Sequence, residues 1–162
     1  MNWREVFWNN KAFTSENIEK ERGYLIRNFL NYAHILKLAK EEATLFFEND
    51  NPLEISETMM NRPDVIITDG ANPISWIING VQGITEVVNS SKIIDTTGAG
   101  DAFLAGLISQ ILMFDYPTKE SEIQNCVRFA SVCGLLTCLG EGAIEQQPDY
   151  SKANEFFVSQ IL

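Results

Sequence analysis

Short β-type runs and longer stretches with helical periodicity alternate along the chain. The segments 33–38 and 65–68 are rich in apolar residues, which predicts two buried strands. Asn79-Gly80 stands between apolar runs, and this dipeptide favours the tight turn of a β-hairpin. Further short strands are predicted at 86–88 and 92–94. This alternation of strand and helix patterns is typical of an α/β fold.

The helical periodicity of apolar residues also locates the predicted helices. They cover residues 17–31, 40–47, 53–60, 99–113, about 118–139 and 151–161. Pro117 precedes the helix that begins near residue 118, and Gly140 and Gly142 follow it. Proline before a helix and glycine after it are the residues expected at those places.

The chain has 162 residues, of which 45% are hydrophobic, so one compact domain over residues 1–162 is predicted. No stretch reaches the ~18 apolar residues of a membrane span, and the N-terminus shows no secretory pattern. Cys126, Cys133 and Cys138 lie in one apolar helical stretch. This placement predicts buried, reduced thiols and a cytoplasmic location.

The formal net charge of -10 limits the partners of the chain. An acidic surface repels nucleic acid and anionic membranes, so neither is expected as a partner. The same charge repels nucleoside triphosphates. Any phosphate site must therefore be made locally positive by backbone N–H groups, a helix N-terminus or bound cations.

One segment carries candidate chemistry: a short strand pattern that ends in Asp95-Thr96-Thr97-Gly98-Ala99-Gly100-Asp101 and opens a helix. Glycines at 98 and 100 let the backbone bend and let a ligand approach it closely. The first N–H groups of the helix have no partner within it and can bind an anion. Asp101, in the first turn, is placed to accept a proton from an attacking hydroxyl group. Asp95 is suited either to binding a cation or to bracing the loop.

Other phosphate-binding motifs do not fit this chain. A Walker A loop requires Gly-x-x-x-x-Gly-Lys-Ser/Thr, which is not found. The dinucleotide fingerprint requires Gly or Ala where Phe103 stands. A plain helix N-terminus with an ordinary acidic first turn is the alternative, and the run of small residues that continues through Ala102, Ala105 and Gly106 makes it the weaker one.

The string from Asp95 to Ile108 resembles the C-terminal signature of the PfkB/ribokinase family of carbohydrate kinases at every fixed position. The resemblance implies a three-layer ribokinase-like α/β fold, of which this chain corresponds to the C-terminal half, without the N-terminal strands and the lid. It also implies ATP-dependent phosphoryl transfer to a sugar hydroxyl. Asp101 is then the catalytic base, and the backbone of Gly98, Ala99 and Gly100 forms the anion hole.

Further positions follow from the same resemblance. It implies nucleotide contacts at Lys37, Thr68, Gly70 and Gly142, and a sugar-side contact at Arg4 in a fructokinase-like Asn-x-Arg stretch, in addition to Asp101. It implies metal contacts at Asp95, Thr97 and Glu42, with Mg²⁺ accompanying ATP and a monovalent cation such as K⁺ near the glycine loop. From the residues alone, Glu42 reads equally well as a solvated acid in the first turn of a helix.

Three functions are therefore expected to compete. The first is a fructokinase-like phosphotransferase that uses ATP and a small sugar, as a partial form completed by an N-terminal half or by a homodimer partner. The second is a non-catalytic kinase-fold protein with an interaction or regulatory role. The third is the product of a split gene without a stable fold of its own.

Overall fold

The computed structural model describes residue 26 and residues 28–160. The helix predicted over residues 17–31 lies mostly outside this range. Contacts between Cα atoms group the chain into two compact units, which are described in turn. Among the described residues, the first unit comprises residues 26, 28–68 and 75–80, and the second comprises residues 69–74 and 81–160.

The described elements follow one another as β1 (Ile35–Ala39), α1 (Lys40–Phe47), α2 (Pro52–Glu57), β2 (Asp64–Asp69), β3 (Asn72–Ile78), β4 (Val81–Thr85), α3 (Ala99–Met113), α4 (Glu120–Thr137) and α5 (Tyr150–Ser159). The strands form a sheet in the order β1-β2-β3-β4. The predicted α/β class is confirmed by this mixture of strands and helices. Among the described residues, no helix is long and apolar enough to cross a membrane.

In the first unit, β1 and β2 run parallel, with Ile35 opposite Asp64 and Ala39 opposite Thr68. Helix α1 follows β1 directly, and its Ala43 is fully buried. The core of this unit contains Leu30, Leu36, Leu38, Ala43, Ile55, Met59, Val65, Ile67 and Ile77. Because β1 and β2 are parallel, their carboxyl ends lie at the same edge of the sheet.

The predicted hairpin is confirmed: β3 ends at Ile78 and β4 begins at Val81. Asn79 and Gly80 between them have φ angles of 50° and 75°. Two successive positive φ angles characterise the turn whose twist matches that of a β-hairpin, and Asn-Gly adopts it most readily.

The second unit is organised around the long helices. Helix α3 covers the predicted range 99–113, and α4 and α5 pack beside it around Ala102, Phe129, Val132, Cys133, Leu136 and Ala153. The aromatic ring of Phe129 contacts those of Tyr150 and Phe157, each at a centroid distance of 5.7 Å. At the start of α5, the side chain of Asp149 accepts a hydrogen bond from the Lys152 amide at 2.8 Å.

The strands predicted at 86–88 and 92–94 are wrong, because these residues have no regular secondary structure. Their backbone groups pair with α4 and its end instead of with a strand. The Val88 N–H donates to Ser131 Oγ at 3.2 Å, and the Ile94 N–H donates to the Cys138 carbonyl at 2.8 Å. A β-branched apolar run becomes a strand only where another strand offers partners.

Candidate active site

The segment that leads to the glycine turn is held against α4 by the bonds of Val88 and Ile94. The Asp95 N–H also points to the Cys138 carbonyl, at 3.4 Å. Ser131 is 4% exposed, so its hydroxyl group is a buried acceptor for the Val88 amide. Sequence reasoning missed Ser131, since a serine within an apolar helix gives no local sign of the loop that it anchors.

The Asp95 carboxylate braces the turn. Its Oδ1 accepts a hydrogen bond from the Thr97 amide at 2.9 Å, and its Oδ2 accepts one from the Gly142 amide at 3.0 Å. The first bond closes a local turn of the kind that aspartate favours. The second joins residues that lie 47 positions apart in the sequence. Of the two roles predicted for Asp95, bracing is therefore the one that the structure displays directly.

Gly98 is the residue immediately before α3, and its φ angle is 82°. A Cβ atom added to Gly98 would lie 2.9 Å from the Cα, the Cβ and the carbonyl oxygen of Ala143. Both the positive φ and the close approach require glycine at this position. The segment 140–147, which contains Gly142 and Ala143, is thus packed directly on the turn.

The amides at the start of α3 differ in what they contact. The Ala102 N–H donates to the Gly98 carbonyl at 2.9 Å, and the Ala99 N–H donates to the Thr96 carbonyl at 3.2 Å. Within the part of the chain that the structure describes, the amides of Gly98, Gly100 and Asp101 have no hydrogen-bond partner. Of the predicted anion hole, Gly98 and Gly100 therefore offer unpaired donors, whereas the Ala99 amide is engaged in the turn.

Asp101 occupies the first turn of α3, and its side chain is exposed. Among the described residues it has neither an ion-pair partner nor a hydrogen-bond partner. The positive end of the helix dipole lies beside this carboxylate. The arrangement places a proton acceptor next to unpaired amide donors.

Close packing of small residues fixes the start of α3 on α4. A Cβ atom on Gly134 would lie 3.1 Å from the Ala99 carbonyl oxygen. A Cβ atom on Gly106 would lie 2.8 Å from Cys133 Sγ and 3.2 Å from Ala130 Cα. The two helices can approach this closely only because glycine stands at both contacts.

The three cysteines are buried free thiols, as predicted. Burial raises the pKa of Cys126 and that of Cys133 to about 11. The pKa of Cys138 is also raised, first by burial and second by the negative charge of Asp95. These thiols are protonated at neutral pH and are therefore poor nucleophiles and poor metal ligands.

Other predicted site residues belong to the first unit. The Thr68 hydroxyl donates to the Leu38 carbonyl at 3.3 Å near the end of β2, and Lys37 lies half-buried in β1. Glu42 lies in the first turn of α1, where its Oε2 accepts a hydrogen bond from the Ala39 amide at 2.8 Å. Glu42 thus caps its own helix, a role that acidic residues at this position often have.

The two remaining predicted contacts are placed as follows. Gly70, in the second unit, has a φ angle of 55° and opens the turn between β2 and β3. Arg4 lies outside the described residues. Within residues 28–160, no group of three His, Cys, Asp or Glu side chains could hold a metal ion by itself. This geometry is compatible with Mg²⁺ only where phosphate oxygens supply most of the ligands, which is the usual arrangement for this ion.

The fold and the turn together define a mixed α/β protein in which unpaired amides lie at a helix N-terminus, an arrangement that can bind an anion. The model of the pfkB family of carbohydrate kinases matches residues 9–149. The chain therefore belongs to this family, and the resemblance that the sequence predicted is confirmed.

Similarity to individual members of the family supports this membership. The chain is 30% identical to probable fructokinase-2 of Arabidopsis thaliana, over 99% of this chain and 47% of the relative. The crystal structure of a fructokinase from Vibrio cholerae O395, with fructose, ADP and a calcium ion bound, matches at a TM-score of 0.71 and 26% identity. That match covers 85% of this chain and 45% of the Vibrio chain.

A fructokinase from Xylella fastidiosa with bound ATP has the same fold, with a TM-score of 0.80 at 22% identity. The match covers 100% of this chain and 51% of that one. The chain thus spans about half the length of the relatives that it matches. The predicted ribokinase-like fold is confirmed as a partial fold.

Proposed function

We propose that this chain binds the phosphates of ATP at the turn 95–101 and supports transfer of the γ-phosphoryl group to a sugar hydroxyl, with fructose as the sugar. The observation that carries this proposal is the set of unpaired amides at the start of α3, next to the exposed carboxylate of Asp101. Family membership and the ATP, ADP and fructose of the related structures support it.

The chemistry follows from positioning and electrostatics. The sugar oxygen forms a bond to the γ-phosphorus while the bond from that phosphorus to the bridging oxygen breaks. ADP leaves with the electron pair, and the hydroxyl proton passes to Asp101. The amides of Gly98 and Gly100 stabilise the charge that develops on the transferring group, because they are donors fixed in advance of the reaction.

Cations accompany the nucleotide in this proposal. Mg²⁺ arrives with ATP, and its phosphate-bound form reduces the repulsion between the nucleotide and a chain of net charge -10. Asp95 and Thr97, in the turn, are the proposed metal contacts. A monovalent cation such as K⁺ is proposed near Gly142. Glu42 is proposed only as a second contact of the metal, because one of its oxygens already caps α1.

The remaining proposed contacts complete the binding sites of both substrates. Lys37, Thr68, Gly70 and Gly142 are proposed for the nucleotide, and Arg4 for the sugar together with Asp101. The carboxyl ends of parallel strands are the usual ligand edge of an open α/β sheet, which supports Thr68 at the end of β2. The half of the family fold that this chain does not match, or a second copy of the chain, completes the sugar site.

A non-catalytic role is the second candidate, and one observation favours it. Ala39 precedes α1 without a side chain able to cap the helix, and Glu42 serves the cap instead of projecting freely toward a metal. A chain with this arrangement could keep the fold for protein interaction.

Thermal unfolding with and without Mg²⁺-ATP distinguishes these functions. A ligand that binds only the folded chain stabilises it by about 2.7 kcal/mol at 100 times its dissociation constant. We expect ATP to raise the midpoint and adenosine to raise it less, because adenosine lacks the phosphates that the turn holds. No shift with saturating Mg²⁺-ATP would contradict the proposed function.

Asp101→Asn separates chemistry from binding. The variant keeps the shape of the side chain but cannot accept the proton, so the rate of transfer is expected to fall by about 10²–10⁴-fold. The ATP-dependent shift in the unfolding midpoint should persist. Transfer at the wild-type rate, measured in the protein that carries the complete sugar site, would remove Asp101 from its role as the base.

A further inference from the structure

The hairpin turn between β3 and β4 contains the only Asn-Gly pair of the sequence, Asn79-Gly80. Both residues are exposed, and a Cβ atom added to Gly80 would have nothing within 4 Å. Among the described residues, the Gly80 amide has no hydrogen-bond partner. Water therefore reaches Asn79, and the Gly80 nitrogen is neither shielded by a side chain nor held by an acceptor.

The side chain of Asn79 and the Gly80 nitrogen are the reactants of asparagine deamidation, and asparagine is among the thermally labile residues of proteins. The Gly80 nitrogen loses its proton to water and forms a bond to Asn79 Cγ, while the bond from Cγ to Nδ2 breaks. Nδ2 leaves with the electron pair, takes up a proton and becomes ammonia, and a succinimide ring remains. Water then opens either C–N bond of the ring. The products are aspartate or isoaspartate, and ammonia.

The folded turn opposes this reaction. Asn79 and Gly80 have φ angles of 50° and 75°, as in the left-handed turn of a two-residue hairpin. In this conformation the nitrogen of the next residue lies nearly opposite Cβ across the Cα–C bond, so the Gly80 nitrogen points away from Asn79 Cγ. The Asn79 N–H also donates to Asp64 Oδ1 at 2.9 Å, and the preceding Ile78 is fully buried. Attack therefore requires the turn to open.

We propose that Asn79 is a deamidation site of the folded chain, that local opening of the hairpin turn limits its reaction, and that Asp64 restrains this opening. The modified residue records the opening, because neither aspartate nor isoaspartate reverts to asparagine. No nucleotide takes part, so the inference is independent of the proposed function.

The products hold the turn less firmly than asparagine does. Deamidation places a carboxylate on the residue whose backbone amide contacts the Asp64 carboxylate, and like charges at short distance repel each other. Isoaspartate also adds one carbon atom to the main chain of a two-residue turn, whose twist then no longer matches that of the strands. Each modification therefore favours further opening of the hairpin.

The test is incubation of the purified chain in mildly alkaline buffer, with and without guanidinium chloride, followed by mass spectrometry of the peptide that contains residue 79. Conversion should be measurable in the folded chain and at least about tenfold faster in the denatured chain, because only the open fraction of the folded chain reacts. Asn89 is the internal control, since it is exposed but is followed by serine. It should convert more slowly than Asn79 in the denatured chain.

Substitution of Asp64 tests the restraint. Asp64→Ala should accelerate conversion in the folded chain by about tenfold, because a hydrogen bond to a charged acceptor is lost. Asp64→Asn keeps an oxygen that can accept the Asn79 N–H and should react nearly as slowly as the wild type. Glu42→Ala is the control for general destabilisation, because the bond that it removes joins Glu42 to Ala39 in the same unit and involves no residue of the turn. Its rate should stay close to that of the wild type.

Four results would overturn the inference. Equal rates with and without denaturant would mean that the turn does not protect Asn79. Absence of conversion in the folded chain would remove the site. If Asp64→Ala reacts no faster than the wild type, Asp64 does not restrain the turn. If Glu42→Ala reacts as fast as Asp64→Ala, general unfolding and not local opening limits the reaction.

Discussion

Replacing Gly98 with alanine probes how closely the segment 140–147 is packed on the glycine turn. The new Cβ atom would lie 2.9 Å from three atoms of Ala143, two of which belong to its backbone. Backbone atoms cannot move aside as a flexible side chain can. The φ angle of 82° at Gly98 adds strain for any residue that carries a Cβ atom.

The cost of the backbone strain and the cost of the overpacking can each be estimated. A left-handed backbone conformation costs a residue other than glycine about 1–2 kcal/mol, and overpacking adds about 1–3 kcal/mol. Gly98→Ala should therefore lower the free energy of unfolding by about 2–5 kcal/mol. Gly142→Ala is the matched control in the same contact, because Gly142 has a φ angle of 84° but nothing within 4 Å of an added Cβ. It should cost only about 1–2 kcal/mol.

Urea unfolding followed by circular dichroism measures both variants. The difference between them isolates the contact with Ala143, because the backbone strain is nearly the same in each. The rise of the unfolding midpoint with Mg²⁺-ATP should also be smaller in Gly98→Ala, since displacement of the turn moves its unpaired amides. If Gly98→Ala costs no more than Gly142→Ala, the turn is not packed on the segment 140–147 and the geometry of the candidate site is wrong.

Further substitutions test three other features of the structure. Glu42→Ala should lower the free energy of unfolding by about 1 kcal/mol, and Glu42→Gln should cost much less because its side-chain oxygen can still accept the Ala39 amide; equal losses in urea unfolding would contradict the capping role. Gly106→Ala should cost about 1–3 kcal/mol, and Cys133→Ala in the same chain should recover part of that loss because it removes the sulfur 2.8 Å from the new Cβ; simple additivity would contradict the contact. The pKa values of Cys126 and Cys133 are about 11 in the folded chain against an ordinary value of 9.0, so the unfolded thiols lose protons first and stability should be full below pH 9 and fall between about pH 9 and 11. Replacing both cysteines with alanine should make that fall shallower, and an unchanged slope would contradict the buried thiols.

Local sequence signals predicted the regular elements well where each element depends on its own residues. Helix α3 has the predicted bounds because its apolar stripe and its glycine start lie within the same segment. The turn at Asn79-Gly80 was predictable because its conformation depends on those two residues alone. The residues that determine elements of this kind lie within the elements themselves.

Contacts between distant residues could not be read from the sequence. Val88 and Ile94 have the composition of strands, yet their amides pair with Ser131 and the Cys138 carbonyl. The second bond of Asp95 was equally hidden, because Gly142 carries no side chain that would mark it as a partner. The residue types of the turn suggest its candidate chemistry, whereas the contacts that support the turn come from packing that no local pattern encodes.

We propose above that unpaired amides at the start of α3 hold the phosphates of a nucleotide. Titration of the ¹⁵N-labelled chain with Mg²⁺-ATP, followed by NMR, reports on each of these amides separately. We expect saturable shifts of the Gly98, Gly100 and Asp101 amides that adenosine does not reproduce. Saturable shifts confined to other parts of the chain, with these three amides unmoved, would contradict it.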